Sequence, residues 1–273
     1  MESRPLRILA VLVNYGEEQI SYLETVVKGL KAFEKYNVTV IVNSNVPIQI
    51  EEIDIVNVIE MEDYQLLPLT CRKVIWKNKD NFDLFIYGEN DHLFLEKHVE
   101  KHIEYSKILP KNRISGLMQY EEDQTGKYYP GYHLDFEWDF NSVETYKNKI
   151  FAHFSNVHQA TFILTKNQLL KVGRKFNFEE LVDRDTLVHK FKKKFQKKLG
   201  IKLERENKYS VKCKVNTDIY EYAGMKKIIC ISEFEDNLIH HLPNLYIEGK
   251  EGRNKLRSDS KRMKDSIMKL LNL

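Results

Sequence analysis

An apolar run that ends in two carboxylates organises this chain: Phe82-Asp83-Leu84-Phe85-Ile86-Tyr87-Gly88-Glu89-Asn90-Asp91-His92. The aromatic and branched residues from Leu84 to Tyr87 predict a buried strand, and Gly88 lets the backbone turn. Glu89 and Asp91 are two residues apart, so in an extended chain their carboxylates point the same way. Hard oxygen ligands at a strand end suit Mg²⁺ or Mn²⁺, which accept further ligands from substrate phosphates. Taken alone, the triplet favours a polar loop after a buried strand, because acidic residues are frequent in turns, so its surroundings must decide.

The N-terminal residues predict a β-α-β unit. Residues 6–13 form a strand-like run followed by the turn residues Asn14, Tyr15 and Gly16. Apolar residues then recur at three- and four-residue steps from Ile20 to Phe33, which is typical of a helix packed on a sheet. Further strands are predicted at residues 38–42 and 53–59. This order favours parallel strands joined by a right-handed crossover.

Polar residues follow each of these strands. In parallel sheets, ligands bind beyond the carboxyl ends of the strands. We therefore expect three polar tips to converge: Asn14 with Tyr15, the segment Asn43-Ser44-Asn45, and the triplet Glu89-Asn90-Asp91. Their convergence would distinguish a ligand site from three unrelated loops.

Two helices are predicted on either side of the acidic triplet, at residues 66–76 and 93–109. The second carries His98 and His102 at the i, i+4 spacing that suits a shared metal. Because the neighbouring residues are Lys and Glu, we favour a solvated helix face over a metal site there.

Composition sets broad limits on the protein. Its 273 residues are enough for one large α/β domain or two smaller ones, and 43 Lys and Arg against 40 Asp and Glu give a net charge of +3. Cys71, Cys213 and Cys230 are widely spaced and odd in number, which favours a reducing compartment over a disulfide framework. The apolar run near the N-terminus is too short for a signal sequence or a membrane span, so we expect a soluble, cytoplasmic protein.

The order of these elements resembles the GT-A fold of glycosyltransferases that use nucleotide-diphosphate sugars, whose Asp-x-Asp motif takes the place of Glu89-Asn90-Asp91. The resemblance covers residues 6–247 and continues in three later segments: Gln159 to Gly173, Glu221 to Ile231, and Leu238 to Asn244. It implies a single α/β domain over residues 1–273, with a mostly parallel central sheet and helices on both faces. The donor half would span about 6–110, the acceptor half about 111–247, and a basic helical tail about 250–273.

The resemblance also implies a set of site residues. Asp91, Glu89 and His241 would hold a divalent cation, manganese or magnesium, although the longer arm of Glu89 leaves open a role at the ribose or at a metal-bound water. The nucleotide would lie against Val13, Asn14, Tyr15, Asn43, Asn45, Arg72, Glu89 and Asn90. Glu221, or else Asp218, would take the proton of the acceptor hydroxyl in an inverting reaction, and a retaining reaction would need no such base.

Two more segments bear on the acceptor. Tyr132 and Trp138 lie in an aromatic stretch interleaved with acidic residues, which suits sugar rings but equally describes a half-buried strand. His189 to Leu199 is a lysine-rich amphipathic segment within a predicted basic insertion at Arg174 to Lys214. It would either contact the cytoplasmic face of a membrane, where a lipid-linked acceptor lies, or dock on the core as an ordinary helix.

The function expected from the sequence is transfer of a sugar from a nucleotide-diphosphate donor to a hydroxyl of a glycan or a lipid-linked glycan. No nucleic-acid partner is expected. One alternative is a metal-dependent nucleotidyltransferase, for which a clearer phosphate-binding Gly or Lys motif is expected. The other is a non-enzymatic basic protein that binds nucleic acid or a membrane surface.

Overall fold

A computed structural model describes residues 4–132, 136–182, 209–247 and 260–273. The described residues form six α-helices: α1 Ile20–Lys31, α2 Leu67–Lys77, α3 Glu96–Ile108, α4 Lys166–Gly173, α5 Val211–Tyr222 and α6 Ser260–Leu271. They also form the strands β1 Arg7–Asn14, β2 Asn37–Ser44, β3 Ile55–Val58, β4 Leu84–Glu89, β5 His92–Leu93, β6 Arg113–Ser115, β7 Met118–Asp123, β8 Gly126–Tyr128, β9 Trp138–Tyr146, β10 Lys149–Phe154, β11 Thr161–Thr165, β12 Lys226–Cys230 and β13 Leu238–His241.

The central sheet has five strands in the order β11-β4-β1-β2-β3. Strand β1 pairs in parallel with β2 and with β4, and β2 pairs in parallel with β3. At one edge, β11 runs antiparallel to β4. The carboxyl ends of β1, β2 and β4 therefore meet at one side of the sheet, where the predicted polar tips follow.

Helices cover both faces of this sheet, and alternate residues of β1 enter two different cores. Leu9 and Val11 pack in one core with residues of α2 and α5. Ile8 and Ala10 pack in the other with residues of α1 and α3. Full burial of one large aliphatic side chain contributes about 1.5–3 kcal/mol to folding. The predicted α/β class is confirmed, and the sheets are mixed.

Two four-stranded sheets complete the described fold, in the orders β5-β13-β7-β8 and β6-β12-β10-β9. In the first, β13 runs antiparallel to β5 and parallel to β7. This pairing places His241 opposite His92, although the two are far apart in sequence.

Gly88 lies within β4, paired with Leu12 and Thr161, instead of forming the turn that we predicted there, and it is tightly packed. A Cβ atom at that position would lie 2.6 Å from Cε2 of Phe94 and 3.3 Å from Cδ2 of Leu12. Only glycine fits there without displacing a neighbour, so the backbone just before Glu89 is fixed by packing.

Helix α3 differs from the solvated face that we expected around His98 and His102, because both side chains are buried. His98 Nδ1 accepts a hydrogen bond from the Leu95 amide at 3.1 Å, and Nε2 donates to the Leu238 carbonyl at 2.8 Å. His102 contacts Oε1 of Gln168 and Oγ of Ser115, at 2.8 Å and 3.0 Å. Burial lowers the pKa of each histidine to about 4. The two rings are neutral core residues with separate partners.

The structure describes part of the two predicted basic segments, the insertion at Arg174 to Lys214 and the tail at about 250–273. His189 to Leu199 lies outside the described residues, whereas α6 is described and packs on the protein through Met263 and Leu270. Within the described ranges, none of the helices has the length and hydropathy needed to cross a bilayer.

Candidate functional site

The polar tips of the central sheet meet. Asn90 Nδ2 donates to Asn14 Oδ1 at 2.7 Å, and Asn14 Nδ2 donates to Ser44 Oγ at 3.1 Å. These bonds join the ends of β4, β1 and β2 directly. Because Asn14 and Asn90 are almost completely buried, the bonds fix the position of the acidic triplet.

A cluster of three potential metal ligands lies beside these tips: Asp91, His92 and His241. One ligand atom from each lies within 4.8 Å of the other two, and all three residues are buried. Asp91 Oδ1 is 2.6 Å from His92 Nδ1, and Asp91 Oδ2 is 3.3 Å from His241 Nε2. The antiparallel pairing of β5 with β13 creates this cluster, which can hold a metal ion.

The second nitrogen of each imidazole also has a partner. His241 Nδ1 donates to Glu121 Oε1 at 2.6 Å, which leaves Nε2 facing Asp91. Gln119 Nε2 donates to His92 Nε2 at 2.6 Å, so the neutral ring carries its proton on Nδ1, which faces Asp91 Oδ1 at 2.6 Å. A half-turn of the Gln119 amide would let its oxygen accept a proton on Nε2 instead, and His92 Nδ1 would then be free to bind a metal. The donor set thus fits a metal ion on geometric and chemical grounds.

The charges in the cluster stabilise one another. Burial opposes ionisation of Asp91, but the His92 and His241 imidazoles hold its pKa well below the usual value. Burial likewise opposes protonation of His241, yet its hydrogen bonds with Asp91 and Glu121 raise its pKa to about 9. A buried positive charge on His241 is therefore compensated from two sides.

Glu89 ends β4 but does not belong to this cluster, where His92 takes the place that we predicted for it. Burial, together with the charge of Asp91, raises the pKa of Glu89 to about 7. Glu89 lines two cavities, whereas Asn90 and Asp91 line only the larger one. Among the predicted site residues, it is the one that lines both cavities.

The larger cavity measures about 600 Å³ and lies next to the tip of β1. Its lining includes Val13, Tyr15, Asp63, Tyr64 and Lys212, together with Glu89, Asn90 and Asp91. Tyr15 is 60% exposed, and its ring centroid lies 5.6 Å from that of Tyr64. Aromatic, cationic and acidic groups therefore face the same space.

The smaller cavity measures about 330 Å³ and shares Glu89 with the larger one, and His92 and His241 of the cluster also line it. Its wall combines aromatic rings with polar groups: Phe136, Tyr209, Tyr246, Gln119, Asn156 and His158. The rings of Phe136 and Tyr209 are nearly parallel, with centroids 6.3 Å apart. His158 lies 3.8 Å from Sγ of Cys213 and 3.1 Å from the side-chain amide of Asn216, and burial lowers its pKa.

The structure corrects the predictions for Arg72 and Asp218, which are fully buried and border neither cavity. Their side chains face each other across 3.6 Å. Arg72 also donates to the carbonyls of Phe178 and Glu180, and Asp218 accepts from the Val182 amide at 2.9 Å. Both side chains are held in the core between α2 and α5. Arg72 is therefore not available to a phosphate, and Asp218 is not available to an acceptor hydroxyl.

Glu221, the first choice for the base, also lies away from the cavities. It is exposed in the last turn of α5 and lines neither of them. The helix geometry turns it outward, whereas Cys213 near the helix start lines the smaller cavity.

Asn43 and Asn45 hold the loops together instead of facing a cavity. Asn43 Nδ2 donates to Thr70 Oγ1 at 2.8 Å, and its Oδ1 accepts from Asn57 at the same distance. Asn45 Oδ1 accepts from the Gly16 amide at 2.8 Å, so it shapes the turn that carries Tyr15.

The predicted acceptor residues Trp138 and Tyr132 are core residues. Trp138 packs against Phe154 and Phe234, and Tyr132 packs edge-on against Phe154. The tyrosine hydroxyl is bonded to Glu137 and Ser266. The half-buried strand alternative was therefore the correct interpretation for Trp138.

Several site residues were not predicted from the sequence: His92, Gln119, Glu121, Tyr64, Lys212 and His158. His92 directly follows Asp91, so its adjacency to the triplet was an available signal. For the other residues, no local pattern indicates that they approach β4.

No protein-family model matches this chain, and no curated protein matches it. Function is therefore inferred from the geometry of the site.

Proposed function

We propose that this protein is a metal-dependent glycosyltransferase of the GT-A type that uses a nucleotide-diphosphate sugar. One observation carries the proposal: Glu89, at the end of a parallel strand, lines two cavities, and the potential metal ligands Asp91, His92 and His241 line one or the other of them. A transferase needs two substrates to meet at one centre. Two cavities that share one carboxylate satisfy this requirement.

The larger cavity suits the donor. Its volume lies within the range of about 300–1,000 Å³ that is typical of small-molecule sites. Tyr15 and Tyr64 offer aromatic faces to a nucleobase, and Lys212 offers a positive charge to the diphosphate. Asn90, fixed by Asn14, orients the triplet toward this cavity.

Asp91, His92 and His241 would hold the cation: the imidazole nitrogens favour a transition metal over Mg²⁺, and the carboxylate of Asp91 suits Mn²⁺. When bound, a divalent cation supplies charge stabilisation to a leaving diphosphate. Asn14 and Gln119 hold the surrounding side chains in place through the hydrogen bonds described above. The carboxyl end of β4 thereby provides a rigid platform, which favours catalysis through preorganisation.

The smaller cavity suits a hydroxyl acceptor such as a glycan or a lipid-linked glycan. Its parallel pair, Phe136 and Tyr209, offers flat apolar surface to a sugar ring, and Gln119, Asn156 and His158 offer hydrogen bonds to hydroxyl groups. Glu89 is the carboxylate that both cavities share. In an inverting reaction we assign it the proton of the acceptor hydroxyl, in place of Glu221 or Asp218.

The test is a thermal-shift and activity panel of nucleotide-diphosphate sugars, with and without Mn²⁺, on the wild type and on Asp91→Asn. A donor that binds the folded state raises the unfolding temperature, so we expect one nucleotide class to stabilise the wild type only when Mn²⁺ is present. We expect Asp91→Asn to lose this stabilisation and the release of nucleoside diphosphate. Asp80→Asn, at an exposed carboxylate, is the matched control.

Two results would contradict the proposal. The first is Mn²⁺-dependent donor binding that survives Asp91→Asn undiminished. The second is release of pyrophosphate instead of a nucleoside diphosphate, which would identify a nucleotidyltransferase.

A further inference from the structure

Glu121 is a fully buried carboxylate in β7, next to the metal-ligand cluster but outside it. Its oxygens accept hydrogen bonds from three N–H groups: His241 Nδ1 at 2.6 Å, the Tyr246 amide at 3.1 Å and the Ile247 amide at 2.9 Å. Among the described residues, its only ion-pair partner is His241. Removing a carboxylate from water is costly, so these three bonds are what stabilise its charge.

We propose that Glu121 is the positioning residue of the metal centre, and that it ties the direction of His241 to the wall of the smaller cavity. The inference rests on the proposed function in so far as the cluster binds a metal ion. It adds a residue that would not touch the metal or either substrate.

The argument for His241 concerns its two ring nitrogens. Because Nδ1–H donates to Glu121, the lone pair of the neutral ring is on Nε2, the atom that faces Asp91 at 3.3 Å. Carboxylates that accept from the second nitrogen of a metal-binding histidine fix the tautomer and orient the ring. Glu121 has the position and the charge for this role.

The argument for the cavity concerns Tyr246. Glu121 accepts from its backbone amide, and its ring lines the smaller cavity with its centroid 5.9 Å from that of His241. One carboxylate therefore holds a metal ligand and a cavity wall at the same time. A change at Glu121 should affect both.

Glu121→Gln tests the tautomer with almost no change in side-chain shape. The amide has one acceptor oxygen and one NH₂ group, so it cannot accept from all three N–H groups. If the oxygen serves the Tyr246 and Ile247 amides, the NH₂ group donates to His241 Nδ1 and moves the ring proton onto Nε2. That nitrogen is then unable to bind a metal.

The experiment measures Mn²⁺ binding to the full chain by electron paramagnetic resonance of the free ion. For Glu121→Gln we expect affinity to fall about 10-fold to 100-fold, the usual effect of losing such a partner. Glu122→Gln, the exposed neighbour on the opposite face of the same strand, should bind like the wild type. Wild-type affinity in a folded Glu121→Gln protein would overturn the proposal.

Should Glu121→Gln fail to fold, Glu121→Asp provides the same test. It keeps the negative charge but shortens the side chain by one methylene, so it cannot reach all three N–H groups. We expect affinity for Mn²⁺ to fall about 10-fold. Unchanged affinity in Glu121→Asp would also overturn the proposal.

Hydrogen exchange separates this inference from the proposed function. The Tyr246 and Ile247 amides should exchange faster in Glu121→Gln or Glu121→Asp than in the wild type, whether or not metal is present. If the wild type binds Mn²⁺ but no nucleotide sugar, the proposed function fails and the role of Glu121 stands. If the wild type binds no Mn²⁺, or exchange at these two amides is unchanged, the inference fails.

Discussion

Two pairs of buried histidines, His98 with His102 and His92 with His241, differ in the groups that surround them. The first pair, on α3, is bonded to carbonyl, amide and hydroxyl groups that carry no charge. The second pair lies next to the carboxylates of Asp91 and Glu121. Burial lowers the pKa of His98 and His102 to about 4, whereas the two carboxylates raise that of His241 to about 9.

The difference shows what separates a structural histidine from a candidate ligand in this fold. Burial alone makes a ring neutral and inert, and the i, i+4 spacing on α3 adds nothing because each ring has its own neutral partners. His241 has a carboxylate on each side and lines a cavity. A metal ion bound at Nε2 could take the place of the proton that these carboxylates stabilise. Whether a buried histidine can bind a metal here depends on the groups that contact its ring, and not on its spacing from another histidine.

The largest contrast concerns Mn²⁺ affinity. His241→Ala removes a proposed ligand and should weaken binding more than about 100-fold, beyond the loss expected when only a supporting residue is removed. His98→Ala should leave the affinity unchanged. Isothermal titration with Mn²⁺ measures both variants, and an equal effect at the two positions would show that the cluster does not bind the metal.

The second-largest expected effect is the loss of folding stability in acid that His98 and His102 cause. In the unfolded chain, His98 and His102 take up protons near pH 6.5, but in the folded protein only near pH 4. Their contribution to stability is therefore complete above pH 6.5 and is lost as the pH falls from 6.5 to 4. Within this window each ring changes the free energy of unfolding by up to about 1.4 kcal/mol per pH unit.

Urea denaturation at pH 7 and pH 5 measures the total acid loss, and His102→Gln should reduce it by the contribution of one ring, up to about 1.4 kcal/mol per pH unit. His241 acts in the opposite direction in metal-free protein. Its folded pKa of about 9 lies above the unfolded value, so its contribution is complete below pH 6.5 and is lost as the pH rises through 9. An acid loss that is unchanged in His102→Gln would contradict the assignment.

The structural role of the α3 pair predicts a moderate loss of stability. His98→Ala leaves the Leu238 carbonyl and the Leu95 amide without their partner, which costs about 1–3 kcal/mol in a buried site. Chemical denaturation at pH 7 measures the loss. Lys97→Ala, on the exposed side of the same helix, is the control and should change stability by less than about 0.5 kcal/mol.

The smallest effect concerns Lys227, a buried base without a carboxylate partner among the described residues. Its Nζ donates to the Val157 carbonyl at 3.3 Å, and burial lowers its pKa to about 7. Lys227→Met keeps the length of the side chain without the charge and should stabilise the protein by about 1 kcal/mol at pH 7. The folded lysine loses its proton near pH 7 and the unfolded one near pH 10.5, so between these values wild-type stability rises by up to about 1.4 kcal/mol per pH unit, and the gain should vanish within about one or two pH units above 7 and then reverse. A constant gain would indicate that packing causes it.

Local sequence patterns were sufficient for the central sheet. The apolar runs at residues 6–13, 38–42 and 84–87 lie within or across the limits of β1, β2 and β4, and the helical periodicity from Ile20 matches α1. Side-chain spacing determines which faces of a strand or helix can be buried, and one sequence is enough to show it. The convergence of Asn14 with Asn90 followed from the parallel arrangement.

Long-range pairings were beyond the reach of a single sequence. Arg72 and Asp218 are far apart in the chain, and each looked like a functional charge until the structure placed them together in the core. The same limit applied to Glu121, which becomes informative only once β7 lies beside β13. The aromatic residues Tyr132 and Trp138 are ambiguous for another reason, because the same alternation suits a sugar platform and a buried strand face.

The packing around Gly88 restricts which residues can occupy position 88. Any side chain at position 88 would push Phe94 aside, and Phe94 directly follows the strand that carries His92. In a library selected for the chemistry of this site, position 88 should therefore retain glycine even where Glu89 varies. A glycine just before an acidic triplet, with an aromatic residue six positions later, is a pattern by which distant relatives of this chain can be sought.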